Sequence, residues 1–142
     1  FDGVETDGRP VLYYKGTDQW EAMSREEAFR PLDGIWIFAN GTYEIPLAFA
    51  AASNSPPPTK YLDAGWNAIG FTDTVPAPAA TTLRSVETTW VTLFGWKTNE
   101  QAYDVSFIRG DTGRHSEMRE LSPFRGYWLY MNDADTLAAI GA

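Results

Sequence analysis

The residues that could do chemistry are few and scattered. Asp111-Thr112-Gly113 spells the triplet of aspartic proteases, in which two paired carboxylates share one proton. That chemistry needs apolar residues ahead of the aspartate to bury it. Arg109-Gly110 stand there instead, so the triplet reads as a turn. The overlapping Arg109-Gly110-Asp111 has the form of an integrin-type adhesive tripeptide, and Arg114 and His115 make this the one locally basic loop of the chain. Such a loop suits contact with a neighbour's carboxylates. His115 is the single histidine, which leaves no cluster for a metal or for a nucleophile's base. Glu26-Glu27 and Glu117 with Glu120 lie beside capping patterns and read as cap residues, not as a paired acid and base. Asp2, Glu5 and Asp7 are hard oxygen ligands of the kind calcium takes, but they lack the glycine and distal glutamate of an EF-hand and read as a flexible acidic terminus. No catalytic set, cofactor or metal centre emerges, and the expectation is a protein that is not an enzyme.

Two kinds of residue remain. Asn40-Gly41-Thr42 is an N-glycosylation sequon on an expected hairpin turn, conditional on secretion. The aromatics are abundant, at 15% of residues with six Trp. Trp36, Trp66 and Trp128 lie in apolar runs and read as core. Tyr13, Tyr14, Trp20, Trp96, Tyr103 and Tyr130 alternate with polar neighbours, and some of them are expected to form an exposed strip, able to stack on sugar rings or to be buried by another subunit. The residues expected to mediate assembly or binding are therefore Trp20, Trp96, Tyr103 and Tyr130, with Arg109, Asp111 and Arg114.

These residues must be positioned by strands, and the strands read as a block written twice. Pro31, Gly34, Trp36 and Asn40 recur as Pro123, Gly126, Trp128 and Asn132 at a constant offset of 92 (123 minus 31), which extends back to Ser24 and Ser116. Upstream, Lys15 matches Lys97 and Trp20 matches Tyr103. The second copy therefore carries about nine extra residues, including 109–115 (92 minus the 83 that separates Trp20 from Tyr103).

Taken along the chain, residues 9–23 read as a hairpin turning at Lys15-Gly16-Thr17-Asp18. Ser24 and Glu27 form a capping box opening a helical turn over 25–29. Residues 34–39 are a central strand, and Asn40-Gly41 turns it into a returning strand over 42–50. The proline-rich stretch 53–60 can neither pair in a sheet nor continue a helix, and reads as a linker. A strand over 65–71 follows. Leu83, Val86 and Trp90 then suggest one amphipathic helix over 76–90. A second hairpin pairs 90–96 with 101–108, and a closing hairpin pairs 125–131 with 136–140.

The fold expected is α+β and β-rich: two related antiparallel units with one amphipathic helix packed on the sheet. Residues 1–52 form a first, incomplete repeat and 61–142 a second, complete one. The first has no counterpart of the strand and helix at 65–90, so it must lean on the second or take a strand from a neighbouring chain.

A net charge of −8 and the lack of a basic run exclude nucleic acid and disfavour an anionic membrane surface. No apolar run approaches the ~18–20 residues of a spanning helix. Zero cysteines excludes disulfides and thiolate sites. The abrupt start at Phe1 suggests a mature or excised piece of something longer.

The order Gly65-Trp66-Asn67, a Pro/Ala-rich segment, an aromatic hairpin and then Pro123 with Gly126-Tyr127-Trp128 resembles a β-rich module of large surface proteins from methanogenic archaea and some bacteria, often placed beside S-layer or adhesion domains. The resemblance covers residues 65–128, and in half form 31–36. Phe124-Arg125 stand where that family more often has a lone glycine. The resemblance implies an extracellular, cell-surface location and no catalytic residues. The function expected is a non-enzymatic structural module that assembles with copies of itself or with adjacent domains through sheet edges and aromatic strands. The alternative is a carbohydrate-binding or adhesion module whose partner is a glycan.

Overall fold

Alternation along the central strands decides which face is buried. The computed structural model describes residues 3–16, 19–24, 26–46 and 56–139. Its strands are β1 (Leu12–Tyr14), β2 (Trp20–Ala22), β3 (Ile35–Trp36), β4 (Thr59–Leu62), β5 (Gly65–Gly70), β6 (Ala77–Pro78), β7 (Trp90–Lys97), β8 (Ala102–Tyr103), β9 (Phe107–Ile108), β10 (Glu120–Leu121), β11 (Gly126–Met131) and β12 (Asp135–Ala138). Among the described residues one α-helical turn, α1, covers Ala79–Thr82, and 3-10 turns cover Arg84–Val86 and Gly113–His115. In β11 the side chains of Tyr127, Leu129 and Met131 are buried while Trp128 and Tyr130 point to the other face.

β11 is the centre of the main sheet, antiparallel to β5 on one edge and to β7 on the other. The far edge of β7 carries β9 opposite Thr92 and Leu93, and β8 opposite Trp96 and Lys97. These are two halves of one return strand, interrupted where Asp104 N–H reaches Gly95 O at 2.9 Å. Beneath the sheet lies one core, in which Ile69, Leu93, Leu129 and Met131 meet Ala79, Leu83 and Val86 from the helical turns. Leu62 and Leu137 join it from the β4–β12 ribbon, with Trp90 and Leu121. Buried Asn67 holds the β4–β5 turn. Its Oδ1 accepts from Asp63 N, and its Nδ2 donates to Asp63 O and Gly65 O at 2.8 and 3.1 Å.

The N-terminal sheet has the order β2-β1-β3. Leu12 lies opposite Trp36 and Tyr13 opposite Ile35, while Tyr14 faces Trp20 across the hairpin. This sheet is joined to the main one at the free edge of β5. Asp33 bridges antiparallel to Ile69, and Gly70 N–H donates to Leu32 O at 3.0 Å. Gly34 crosses so close to Ala68 that a Cβ there would sit 2.7 Å from Ala68 C and Ile69 N, which only glycine permits. Leu32 enters the main core with φ at +71°, and Phe124 has φ at +60° in the turn before β11. Across the joint Lys60 Nζ donates to Asp33 Oδ1 and Ala68 O, both at 3.0 Å, and to Leu32 O at 3.4 Å.

Several expectations need correction. The helix over 76–90 is not formed: β6, one turn of α1 and a 3-10 turn replace it, and Trp90 opens β7. Pro76 and Pro78 break the start, and Thr82 and Thr89 turn their hydroxyls onto Pro78 O and Val86 O, competing with the helical ladder. Leu83, Val86 and Trp90 still face the core, so the apolar spacing was informative where the helix assignment was not. The closing hairpin is absent as well. β12 pairs with β4 because both edges of β11 are occupied. Thr59 and Lys60, placed in the linker, belong to β4. Ser24 N–H donates to Glu27 Oε2 at 3.2 Å as the capping box requires, but no helix follows among the described residues. No strand returns over 42–46, and 47–50 lie outside the described residues.

Candidate functional site

The outward positions of β5, β11, β7 and β8 carry Trp66, Trp128, Tyr130, Phe94, Trp96 and Tyr103, with the smaller Ala68 and Thr92 among them. Cross-strand register sets Tyr130 beside Trp66, Trp128 beside Phe94 and Trp96 beside Tyr103. The rings form one continuous run. Centroids lie 5.0 Å apart for Tyr130 and Trp66, 5.1 Å for Trp66 and Phe94, 4.7 Å for Phe94 and Tyr103, and 5.1 Å for Tyr103 and Trp96. Trp36 of the N-terminal sheet continues it onto Trp96 at 5.2 Å. Alongside, Tyr14 and Trp20 close on Trp128 at 4.9 and 5.6 Å.

The N-terminal sheet therefore covers part of this face with Tyr14, Trp20 and Trp36. The remainder, Trp66, Phe94, Tyr103 and Tyr130, stays partly open, with Trp66 37% and Tyr103 60% exposed. Interplanar angles within the run are 58–81°. Edge-to-face packing is worth about 0.5–1.5 kcal/mol per pair beyond area burial, and it turns neighbouring ring faces away from a common plane. The open half is thus a corrugated apolar surface.

Of the residues expected to bind, Trp20, Trp96, Tyr103 and Tyr130 lie on this face and Arg109, Asp111 and Arg114 do not. The basic loop folds back on the core. Arg109 donates to Glu87 O at 2.9 Å, Gly110 N–H donates to Glu117 Oε2 at 2.9 Å, and Asp111 Oδ1 accepts from Thr112 N. His115 Nδ1 lies 2.9 Å from Ser106 Oγ, and Arg119 lies over the Phe107 ring while donating to Val105 O and Ser106 O. Arg114 alone of the three is fully exposed. Its neighbours hold the loop's shape and leave neither a projecting tripeptide nor a buried aspartate pair.

Trp36 and Trp66, expected in the core, are each 37% exposed; the buried tryptophan is Trp90 at 1%. Outward register on β3 and β5 overrides their apolar neighbours. Asn40 is exposed, with Nδ2 donating to Asp7 Oδ1 and Oδ1 accepting from the Tyr43 hydroxyl. Asp7 is engaged there, and Asp2 lies outside the described residues. Among the described residues, no three His, Cys, Asp or Glu converge as a metal would need, and no helix is long and apolar enough to cross a membrane.

Burial raises the pKa of Tyr127 above its usual value, against a hydrogen bond from Ser122 N–H to its hydroxyl at 2.7 Å. Tyr13 is raised for the same primary reason, assisted by Asp33. Exposed Lys15 is raised by its hydrogen bond to Glu21.

Sequence reasoning missed Phe94, Lys60 and Asn67. A signal existed for the strand carrying Phe94: Val86-Glu87-Thr88 repeats Val4-Glu5-Thr6, and the offset of 82 (86 minus 4) runs on to Lys15 and Lys97. It aligns Phe94 with Leu12. No protein-family model, curated protein or solved structure matches this chain.

Proposed function

We propose that the chain is a non-enzymatic structural module of a cell-surface assembly, made of two copies of one β unit that grip each other through their aromatic faces. The open remainder of that face receives a neighbouring subunit. One observation carries the reading. Adding 82 to hairpin positions and 92 to positions after Ser24 converts Tyr14 on Trp128 into Trp96 on Trp36 when the two units change places, and both contacts are present at 4.9 and 5.2 Å. A contact in which residue i meets j, and the counterpart of j meets the counterpart of i, is the signature of an isologous interface. The same offsets carry Leu12 opposite Trp36 into Phe94 opposite Trp128, and Tyr13 opposite Ile35 into Gly95 opposite Tyr127. They also carry the left-handed Leu32 onto the left-handed Phe124, a rare conformation for such residues.

The resemblance to methanogen surface modules agrees with an extracellular location. The strand that the first unit lacks is supplied within the chain: β5 pairs with β11 on one edge and meets Asp33 on the other. Association with further copies therefore falls to the partly open aromatics, whose corrugated surface fits interdigitating side chains better than flat sugar rings.

Sedimentation velocity and electron microscopy across a hundredfold concentration range test this. Wild type is expected to form defined oligomers or filaments, and the Trp66→Ala/Tyr103→Ala variant to remain monomeric. A wild-type protein monomeric throughout overturns the reading. Saturable binding in a glycan screen, lost in the same variant, would replace it with carbohydrate recognition.

A further inference from the structure

In the second unit the core beneath β7 is closed by residues 77–83. β6 pairs antiparallel with β10, setting Ala77 opposite Leu121, and Ala79 and Ala80 N–H donate to Arg119 O and Glu117 O. Ala77, Ala79 and Leu83 are buried, and the last two share the core cluster with Val86, Trp90, Leu93 and Leu121. The offsets of 82 and 92 carry Val86, Trp90, Leu93 and Leu121 onto Val4, Gly8, Val11 and Phe29. In the first unit these four line an open cleft of about 390 Å³, with Met23 and Glu27 at its wall. Glu27 is the counterpart of Arg119, whose carbonyl receives Ala79 (119 minus 92). Gly8 stands where Trp90 fills the second unit, and a Cβ on Gly8 would meet nothing within 4 Å.

We infer that this cleft is a binding site for a polypeptide segment with the chemistry of residues 77–83: a short extended stretch of alanine and proline, followed by one helical turn presenting a leucine. The inference rests on the two-copy reading. The segment adds as a strand along residues 27–29 and lays its small apolar side chains against Val4 and Val11. This is donation of a missing element to an incomplete unit. A second copy is not the donor, because in each copy residues 77–83 are buried in their own core and withdrawing them would open it.

The probe is a synthetic peptide of residues 74–86, titrated into the full chain and followed by methyl NMR, with a scrambled peptide as control. Saturable shifts at Met23, Val4 and Val11 are expected, and none from the scrambled peptide. Met23→Glu places a charge at the wall and is expected to weaken binding about tenfold or more, since burying an unpaired charge costs more than the 1.4 kcal/mol that a factor of ten represents. If that substitution unfolds the first unit, Thr6→Trp, which fills the cleft from a polar wall position, makes the same test. No saturable shift in the folded wild type overturns the inference, as do shifts confined to Val86, Leu93 and Leu121, which would mean exchange with the native segment. Self-association through the aromatic face is read by sedimentation of Trp66→Ala/Tyr103→Ala, so either idea can fail alone.

Discussion

Replacing Lys60 with methionine should loosen the joint between the two sheets more than any other single polar change. The ammonium group of Lys60 donates to a carboxylate and two main-chain carbonyls at 3.0–3.4 Å, and two of those three oxygens belong to the N-terminal unit. The side chains of Lys60 and Asp33 are only 15% and 14% exposed. Removing one partner from a fully buried pair costs about 3–5 kcal/mol, because the other charge is left uncompensated. Here Asp33 keeps a second bond, with Oδ2 accepting from Arg30 N–H at 3.1 Å, and some water reaches the pair. The expected loss for Lys60→Met is therefore about 2–3 kcal/mol, or roughly 5–10 °C in Tm for a chain of this size. Asp33→Asn should recover part of it, with a coupling of about 1–2 kcal/mol in the double-mutant cycle. Urea unfolding followed by far-UV circular dichroism gives the free energies. Near-UV circular dichroism reports the ring contacts that Trp36 and Trp128 make across the joint. A loss under about 0.5 kcal/mol, or strict additivity of the two substitutions, would refute the claim that this cluster ties the units together.

Four further outcomes are expected. Gly34→Ala forces a Cβ to within 2.7 Å of backbone atoms in β5 and should destabilise by about 1–3 kcal/mol in urea titrations, more than Gly110→Ala, where only the positive φ opposes a side chain. Phe124→Gly, at a position 70% exposed and left-handed, should stabilise by about 0.5–1 kcal/mol in the same assay. Cycles on Tyr14→Ala/Trp128→Ala and Trp36→Ala/Trp96→Ala should give couplings of the same sign, each about 0.5–1.5 kcal/mol, as reciprocal contacts demand. Tyr127 has its pKa raised above 10.0, so its share of stability is complete below about pH 10 and is lost as pH climbs past that value through the folded one. Tyr127→Phe should flatten that alkaline decline, and at pH 7 cost about 1 kcal/mol because Ser122 N–H loses its acceptor.

The strands of the second unit were legible because their residues alternate. Tyr127, Leu129 and Met131 against Trp128 and Tyr130 specify both the strand and its faces. The aromatic face was legible in part: Lys97 and Asp104 stand beside Trp96 and Tyr103, while Tyr130, between Leu129 and Met131, is set on that face only by the alternation of its strand. Trp66 was misassigned because the whole stretch 65–71 was read as one apolar run, although alternation along the strand sets Trp66 on the face opposite Asn67 and Ile69. Helix over 76–90 was the costliest misreading. Leu83, Val86 and Trp90 have helical spacing, yet Pro78 and the threonines make other uses of the backbone cheaper, and the same three side chains reach the core from the end of α1, a 3-10 turn and a strand. The contacts of the basic loop were illegible for another reason. Its fate depends on Glu87 O and Glu117, and a local tripeptide carries no information about acceptors at such separations.

What the sequence could not reveal at all is how one strand serves two units. The pairing between Asp33 and Ile69, and that between Leu32 O and Gly70 N–H, are made by main-chain groups that every residue type carries. Besides the Lys60–Asp33 pair, the side-chain mark of the crossing is a need for smallness: Gly34 over Ala68, and Gly70, where a Cβ would lie 2.6 Å from Asp33 O. Glycine serves turns, bulges and caps at strand ends equally well, so its role in the crossing is legible only once both segments are in place. On the two-copy reading proposed above, a shared strand also accounts for a first unit that keeps its sheet register while its core stays open. β5 gives an edge to Asp33, but the residues that follow β5, 77–83, turn under the second unit and cannot reach the first. On the two-copy reading, edge pairing and core filling, which one contiguous segment performs for the second unit, are thereby separated in the first, and the cleft at Val4, Gly8 and Val11 is where we propose that a segment is received.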